Sequence, residues 1–420
     1  MHRITRLDNG IRVVTYNMPK ASSAAIGVWV DVGSRYENSL VSGISHFIEH
    51  LLFKGTKKRS AGEIKKSIEG MGGSLNGFTG DEVTCYLCKV LAKDLRLGLD
   101  VLADMVSDPL LKENDIEKER KVICEEIKMY FDLPNYHVNE LLNELLWPGQ
   151  PLGRLISGTV ETVSRIKRPD IKRYMKRFYT PRNMIVSVCG AITHDDVLKW
   201  CKKCLVKKSG KKRNHFQKAK ILQTKPRFNF HHQQTKQIHI ALGFHSFSRL
   251  HPERYALDLL NVVLGANMSS RLFEQVREKR GLAYAIRSEA QKHQDTGAFV
   301  INMGVENGKS ARALDVVLRE LDKICRKEVS EDELIRAKEF LKGQLLLGLE
   351  DSVNYMLWMG EKLLSLKRIP DINEILKKID SVNRQDLKNV AKKIFTSRHL
   401  SLAIIGALTE KEKTAIERRV

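Results

Sequence analysis

No apolar run in this chain approaches the roughly 20 residues that cross a bilayer, which argues against a helical membrane span. The first residues, Met1 to Gly10, lack the apolar core of a secretion signal, so a cytoplasmic protein without a membrane partner is expected. Low-complexity tracts are missing too, and the composition is that of a globular protein. Cysteines are few and odd in number, seven in all, which speaks against a disulfide framework. Four of them form two Cys-x-x-Cys pairs, Cys85/Cys88 and Cys201/Cys204, with 112 residues between the pairs. Cys85 and Cys88 sit in a strand-like stretch, where positions three apart point to opposite faces, so reduced thiols are expected rather than a four-thiolate metal site. Negative charge is scarce: 50 Asp and Glu against 72 Lys and Arg leave a net +22. Such a surplus attracts nucleic acid or anionic surfaces. No nucleic-acid motif accompanies it, and aromatics do not cluster with the basic residues as a stacking platform requires, so no nucleic-acid partner is expected.

What the chain does have is Gly43-Ile44-Ser45-His46-Phe47-Ile48-Glu49-His50-Leu51-Leu52-Phe53-Lys54-Gly55-Thr56. Between Ser45 and Lys54 there is no Gly or Pro, and the apolar flanks predict a helix. On a helix His46 and His50 are one turn apart and share a face. Two imidazoles so placed can hold one Zn²⁺, with Glu49 facing the open coordination position. A catalytic zinc site wants a third protein ligand. The segment Glu117 to Tyr130 offers carboxylates on a second predicted helix, with Ile116, Val122, Ile123, Ile127 and Tyr130 on its apolar face.

Together these segments resemble the pitrilysin/insulinase (inverzincin) family of zinc peptidases, whose His-x-x-Glu-His motif is followed by a distant Glu ligand 76 positions on. Counting 76 from His50 reaches Glu126, and the auxiliary acidic residue of the family, seven positions earlier, is Glu119 here. Glu125 is expected to face solvent. The resemblance runs essentially end to end and is closest in style to the catalytic subunit of mitochondrial processing peptidases and its short bacterial counterparts. It extends to Gly72-Gly73-Ser74-Leu75-Asn76-Gly77-Phe78-Thr79, similar to the family's substrate-binding edge strand, and implies substrate contacts at Asn76, Gly77 and Phe78. Gly77 departs from the Ala of many members and is expected to loosen the strand. Further on, Ser269-Ser270-Arg271-Leu272-Phe273 and Arg277-Glu278-Lys279-Arg280-Gly281-Leu282-Ala283-Tyr284 carry the likeness, which places Arg277 and Tyr284 at the substrate.

The chain also repeats itself. Arg168 to Thr193 overlays Arg384 to Thr409 at a constant offset of 216, with nine of 26 positions identical. Both copies read as a helix, a Thr-x-Arg turn and an apolar strand ending in Gly-Ala. So long a period means duplicated domains. Strand patterns at Gly10 to Tyr16, Ala24 to Val30 and Gln237 to Phe244 mix with helices in each half. The expected fold is α+β in two homologous domains, each a mostly antiparallel sheet packed with helices. Domain one spans 1–206, a basic linker 207–221 follows with its run Lys207 to Arg213, and domain two spans 222–420. The metal motif is not duplicated, so domain one is expected to carry the chemistry.

The expected activity is that of a zinc-dependent endopeptidase with one Zn²⁺ per chain, held by His46, His50 and Glu126. Glu49 serves as general base, and Glu119 is grouped with it as the auxiliary acid. Larger members of the family join four such domains into a closed chamber, so the resemblance implies for these two domains a dimer that cleaves unfolded peptides or presequence-like segments. A homodimer is expected first, because Leu264 to Ser270 is not the Gly-rich loop of an inactive partner; a heterodimer with an inactive homologue is the alternative. A non-catalytic assembly or scaffold chain on the same fold is the competing reading, disfavoured by the intact His46, Glu49, His50 and Glu126.

Overall fold

A computed structural model describes residues 2–205 and 215–419. The basic run Lys207 to Arg213 lies outside the described residues, and 215–221 has neither helix nor strand. Two compact units are present, each built on one sheet.

The first sheet contains β1 (Arg3–Arg6), β2 (Arg12–Asn17), β3 (Ser23–Val30), β4 (Ser74–Thr79), β5 (Thr84–Leu91) and β6 (Met184–Gly190), in the order β1-β2-β6-β3-β5-β4. All pairings are antiparallel except β2 with β6. Helices α1 (Ile44–Leu52), α2 (Ala61–Glu69), α3 (Leu95–Ser107), α4 (Glu113–Phe131), α5 (Pro134–Leu146), α6 (Val160–Arg165), α7 (Arg168–Phe178) and α8 (His194–Cys204) complete the first half of the chain. The second sheet runs β7-β11-β8-β10-β9, with β7 (Arg227–His231), β8 (Ile238–Ser246), β9 (Ala283–Lys292), β10 (Gly297–Val305) and β11 (Leu400–Ile405). Here β7 and β11 are the parallel pair. The order β2-β6-β3-β5-β4 therefore recurs as β7-β11-β8-β10-β9, and the sequence repeat is a repeat of topology. The α+β duplication expected from the sequence is the fold observed.

The continuous division into 1–206 and 222–420 differs from the observed units in two segments. Met129–Gly153 belongs to the second unit, and Leu346–Ile369 belongs to the first. Close packing accounts for both. The helix Ser352–Ser365 lies on β3 and β6. A Cβ at Gly360 would come within 2.2 Å of Trp29 Nε1, and one at Gly27 within 2.4 Å of Met356 Sδ, so helix and strand meet at glycines. Tyr16 and Tyr355 stack with ring centroids 4.0 Å apart across the same contact. In the second unit α5 packs on β8 and β11, with Leu142 against Gly243, the residue at offset 216 from Gly27. With both faces covered, β3 is buried almost throughout and reads as a continuous apolar run rather than an alternation. Periodicity marks a helix but not which sheet it covers, and that is why the division misplaces these two.

Among the described residues no helix is long and apolar enough to cross a membrane. The seven cysteines are free.

Candidate metal centre

Helix α1 is held from behind. Ile44, Phe47, Ile48, Leu51 and Leu52 are buried in the core of the first unit, each worth about 1.5–3 kcal/mol of apolar burial. The spacing that buries them turns His46, Glu49 and His50 to the opposite side. The start of the helix is fixed by Gly43, whose φ of 93° is costly for any residue with a Cβ and which approaches the Ser157 carbonyl closely. Glu37 accepts hydrogen bonds from the Gly43 and Ser45 amides at 2.7 and 2.8 Å, so its carboxyl group caps the start of the helix.

The third side chain comes from α4, anchored by buried Ile116, Ile123 and Ile127. Val122 departs from the expected apolar face and is half exposed, because the buried stripe runs through Ile116, Glu119, Ile123 and Ile127 and one residue's step turns Val122 away from it. Glu125 is exposed and pairs with Lys128, as expected. Glu126 turns to the histidines: its Oε2 lies 3.7 Å from His46 Nε2 and 3.5 Å from His50 Nε2. Donors about 2.0–2.1 Å from a tetrahedral zinc stand roughly 3.3 Å from one another, so these spacings fit a single ion. Among the described residues this is the one group of three metal-binding side chains drawn together so closely.

The surrounding groups suit a cation. Glu119 Oε2 is 3.2 Å from His50 Nδ1, and Lys54 Nζ is 2.6 Å from the other oxygen of Glu119. A carboxylate receiving the Nδ1 proton leaves Nε2 with its lone pair turned to Glu126, the tautomer a metal needs. Burial would raise the Glu119 carboxyl, but the hydrogen bonds from His50 and Lys54 outweigh it and hold it ionised below the usual range. At His50 burial opposes the charged form, yet Glu119 and Glu126 outweigh it and raise its affinity for a proton. A field that draws a proton to that nitrogen also draws a metal ion. His46 is pushed the other way, first by burial and then by His50, so it stays neutral.

Glu49 lies beside this group with its Oε2 accepting a 2.6 Å hydrogen bond from the Thr79 hydroxyl. Burial raises its carboxyl above the ordinary carboxylate range, against the Thr79 hydrogen bond that lowers it. Thr79 ends β4, which is the free edge of the first sheet. On this strand the Gly77 amide donates to the Asn76 side chain at 2.8 Å, Phe78 is exposed and meets Trp29 edge-on, and Asn76 is exposed. A Cβ at Gly77 would meet Phe53 Cζ at 3.2 Å and Glu49 Cγ at 3.3 Å, so the glycine gives Glu49 room.

Arg277 and Tyr284 belong to the second unit and lie together. Arg277 is carried on a π-helical turn, Phe273–Glu278, with its guanidinium 4.7 Å from the Phe273 ring centroid and 5.7 Å from that of Tyr284. Tyr284 is the second residue of the edge strand β9 and is 76% exposed. Sequence reasoning passed over Lys54, Glu37 and the contact of Thr79. Lys54 stands four residues after His50 on the same side, a spacing visible in the sequence; the reach of Glu37 to α1 has no local signal.

Two histidines and a glutamate set around one point beside a second, half-buried glutamate, on a duplicated α+β chain, define a zinc metallopeptidase. A family profile described as Insulinase (Peptidase family M16) matches residues 12–160, and one described as Peptidase M16 inactive domain matches residues 165–341. An uncharacterized zinc protease of Streptomyces coelicolor is 36% identical, covering 99% of this chain and 91% of that protein. The uncharacterized zinc protease YmxG of Bacillus subtilis is 37% identical over 95% of this chain and 96% of its own. The crystal structure of a protease from Helicobacter pylori superposes with a TM-score of 0.91 at 26% identity, covering 96% of this chain and 99% of that one. A Pseudomonas fluorescens structure described as a peptidase M16 inactive domain shares the fold at a TM-score of 0.90 and 17% identity. The chain belongs to the insulinase family of peptidases, M16.

Proposed function

We propose that the protein is an endopeptidase that takes extended, unfolded peptides along β4 and cleaves them beside Glu49, within a chamber formed by two copies of the chain. The observation that carries this reading is the contact of Glu49 with Thr79. It puts an unpaired strand edge and a carboxylate with raised proton affinity next to the three candidate ligands. A strand edge binds peptide through main-chain hydrogen bonds and so tolerates many sequences.

His46, His50 and Glu126 would hold the zinc, which when bound would supply Lewis-acid polarisation of the scissile carbonyl and acidify a water. Glu49 takes a proton from the attacking water at its carboxylate and delivers it to the leaving amine nitrogen. Thr79 keeps the Glu49 carboxylate turned toward the strand, and Glu119 keeps the His50 ring in one tautomer. The exposed Asn76 and Phe78 and the partly buried Gly77 between them line the peptide's path, and Asn76 gives up the Gly77 amide when a substrate backbone arrives. Arg277 and Tyr284 offer a fixed positive charge and an O–H donor to the developing oxyanion of a second chain's substrate.

The Glu49→Gln variant tests the central assignment. It should keep about one zinc per chain and lose turnover of a quenched-fluorescent peptide library by a factor on the order of 10³ or more. Turnover within tenfold of wild type in a clean preparation would sink Glu49 as the base.

A further inference from the structure

The first unit carries a second concave feature that the zinc centre does not use, a cleft of about 680 Å³. Its size is that of a small-molecule site. Leu110, Met175 and Tyr179 give it an apolar floor, and Arg168, Lys172 and Lys176 give it a basic wall. Asp108 is its single lining carboxylate and already faces Lys57 at 3.9 Å.

The basic wall is a stripe. Arg168, Lys172 and Lys176 follow at intervals of four on α7, so their charges lie along one side of the helix, where like charges repel. Among the described residues neither lysine has an acidic partner. Arg168 donates to the Leu110 carbonyl at 3.4 Å, which ties the guanidinium to the floor, while its Nε is enclosed without a hydrogen-bond partner. The neighbouring Leu111 has a φ of 49°, a left-handed backbone that a leucine adopts only under constraint.

The duplication provides a control inside the same chain. At offset 216 the stripe recurs as Arg384, Lys388 and Lys392, identical at all three positions. In that copy the arginine is neutralised by the protein: Arg384 Nε lies 3.3 Å from Glu331 and 3.8 Å from Glu328. The first copy has the same cations and an apolar cleft beside them, and among the described residues no carboxylate pairs with Arg168.

We propose that this cleft binds an amphiphilic small-molecule anion, with its aliphatic body on Leu110 and Met175 and its head group paired to Arg168 and Lys172. The counter-charge that Glu328 and Glu331 give the second stripe is supplied to the first by the ligand's head. The apolar floor selects a ligand with a hydrocarbon body over a bare inorganic ion. This assignment is independent of the peptidase chemistry.

Calorimetric titration of the zinc-loaded full chain with decanoate, kept below its micelle-forming concentration, tests it. Saturable binding at one site per chain is expected, with decanol, acetate and inorganic phosphate each about tenfold weaker or more. The double variant Arg168→Gln/Lys172→Gln should weaken decanoate by at least about tenfold, while Arg384→Gln/Lys388→Gln leaves it unchanged. No saturable decanoate binding, equal binding of decanol or phosphate, or an equal loss in both double variants would overturn the site.

Discussion

Glu119 reaches the metal centre only through His50, and that fixes how its loss should read out. Its two oxygens are taken by His50 Nδ1 and Lys54 Nζ. Glu119→Gln keeps the shape but ends the preference for the Nδ1–H tautomer, so zinc affinity should fall about 10–100-fold. Lys54→Met should cause a smaller loss of the same kind, since the carboxylate survives. Competition with a chelator of known affinity measures both. If Glu119→Gln binds zinc normally yet turns over slowly at saturating metal, the carboxylate acts on the substrate instead. At this scale the sequence was most legible where spacing alone decides: His46, Glu49 and His50 fall on one face of any helix. Glu126 was legible only through the family's spacing, because a residue 76 positions away is brought close by the fold and not by the helix. Lys54 shows its place by the same four-residue step as the histidines, and Thr79 by ending the edge strand.

Helix α1 depends on what stands at its start. Glu37 is fully buried and accepts from the Gly43 and Ser45 amides; burial pushes its carboxyl up to about 7 from 4.5 despite them. The folded state therefore binds more protons than the unfolded chain between about pH 4.5 and 7. Stability from this group is fully present below about 4.5 and is lost as pH rises through 7. Glu37→Gln removes that dependence. The variant's unfolding free energy minus that of wild type should climb across this window by a few kcal/mol, at about 1.4 kcal/mol for each pH unit that separates the folded and unfolded pKa values. Urea unfolding of both proteins at matched zinc gives the difference, and a flat difference would refute the raised carboxyl. The seam between β3 and the helix Ser352–Ser365 is a second element-scale dependence. At Gly360 even a methyl group would overlap the Trp29 ring, so Gly360→Ala should destabilise the chain by about 1–3 kcal/mol, read by the same unfolding assay. The strands that flank these contacts were legible as apolar runs. The exchange of α5 and Ser352–Ser365 between sheets was not, since apolar periodicity marks a helix without saying which sheet it covers, and both sheets offer the same close-packing glycine, Gly27 in one and Gly243 in the other.

For the whole molecule the open matter is how two units, one with a metal centre and one without, make a peptidase. The profile that matches the second half is described as an inactive domain, in keeping with its lack of a second His-x-x-Glu-His. Yet that half presents Arg277 on a π-helical turn, a local distortion often found at functional sites, together with an exposed Tyr284. A π-helical turn and an exposed tyrosine have no evident use in a unit that only supports its partner, which favours a role for them at a substrate. Under the dimer proposed here, each chain lends these two residues to the zinc centre of the other. Glu49→Gln alone and Tyr284→Phe alone should each be impaired, the second less severely. A dimer with one chain of each kind would hold one doubly altered site and one site with both residues intact. Equal mixing with free exchange of chains makes half the dimers mixed, each with one intact site of two, so about a quarter of wild-type turnover should return. If the residues served their own chain's centre, no mixed dimer would hold an intact site and mixing would restore nothing. The assay is peptide turnover before and after the two variants are co-refolded, with the dimer's presence verified by sedimentation. Recovery near a quarter supports lending between chains; a dimer without recovery confines Arg277 and Tyr284 to their own chain.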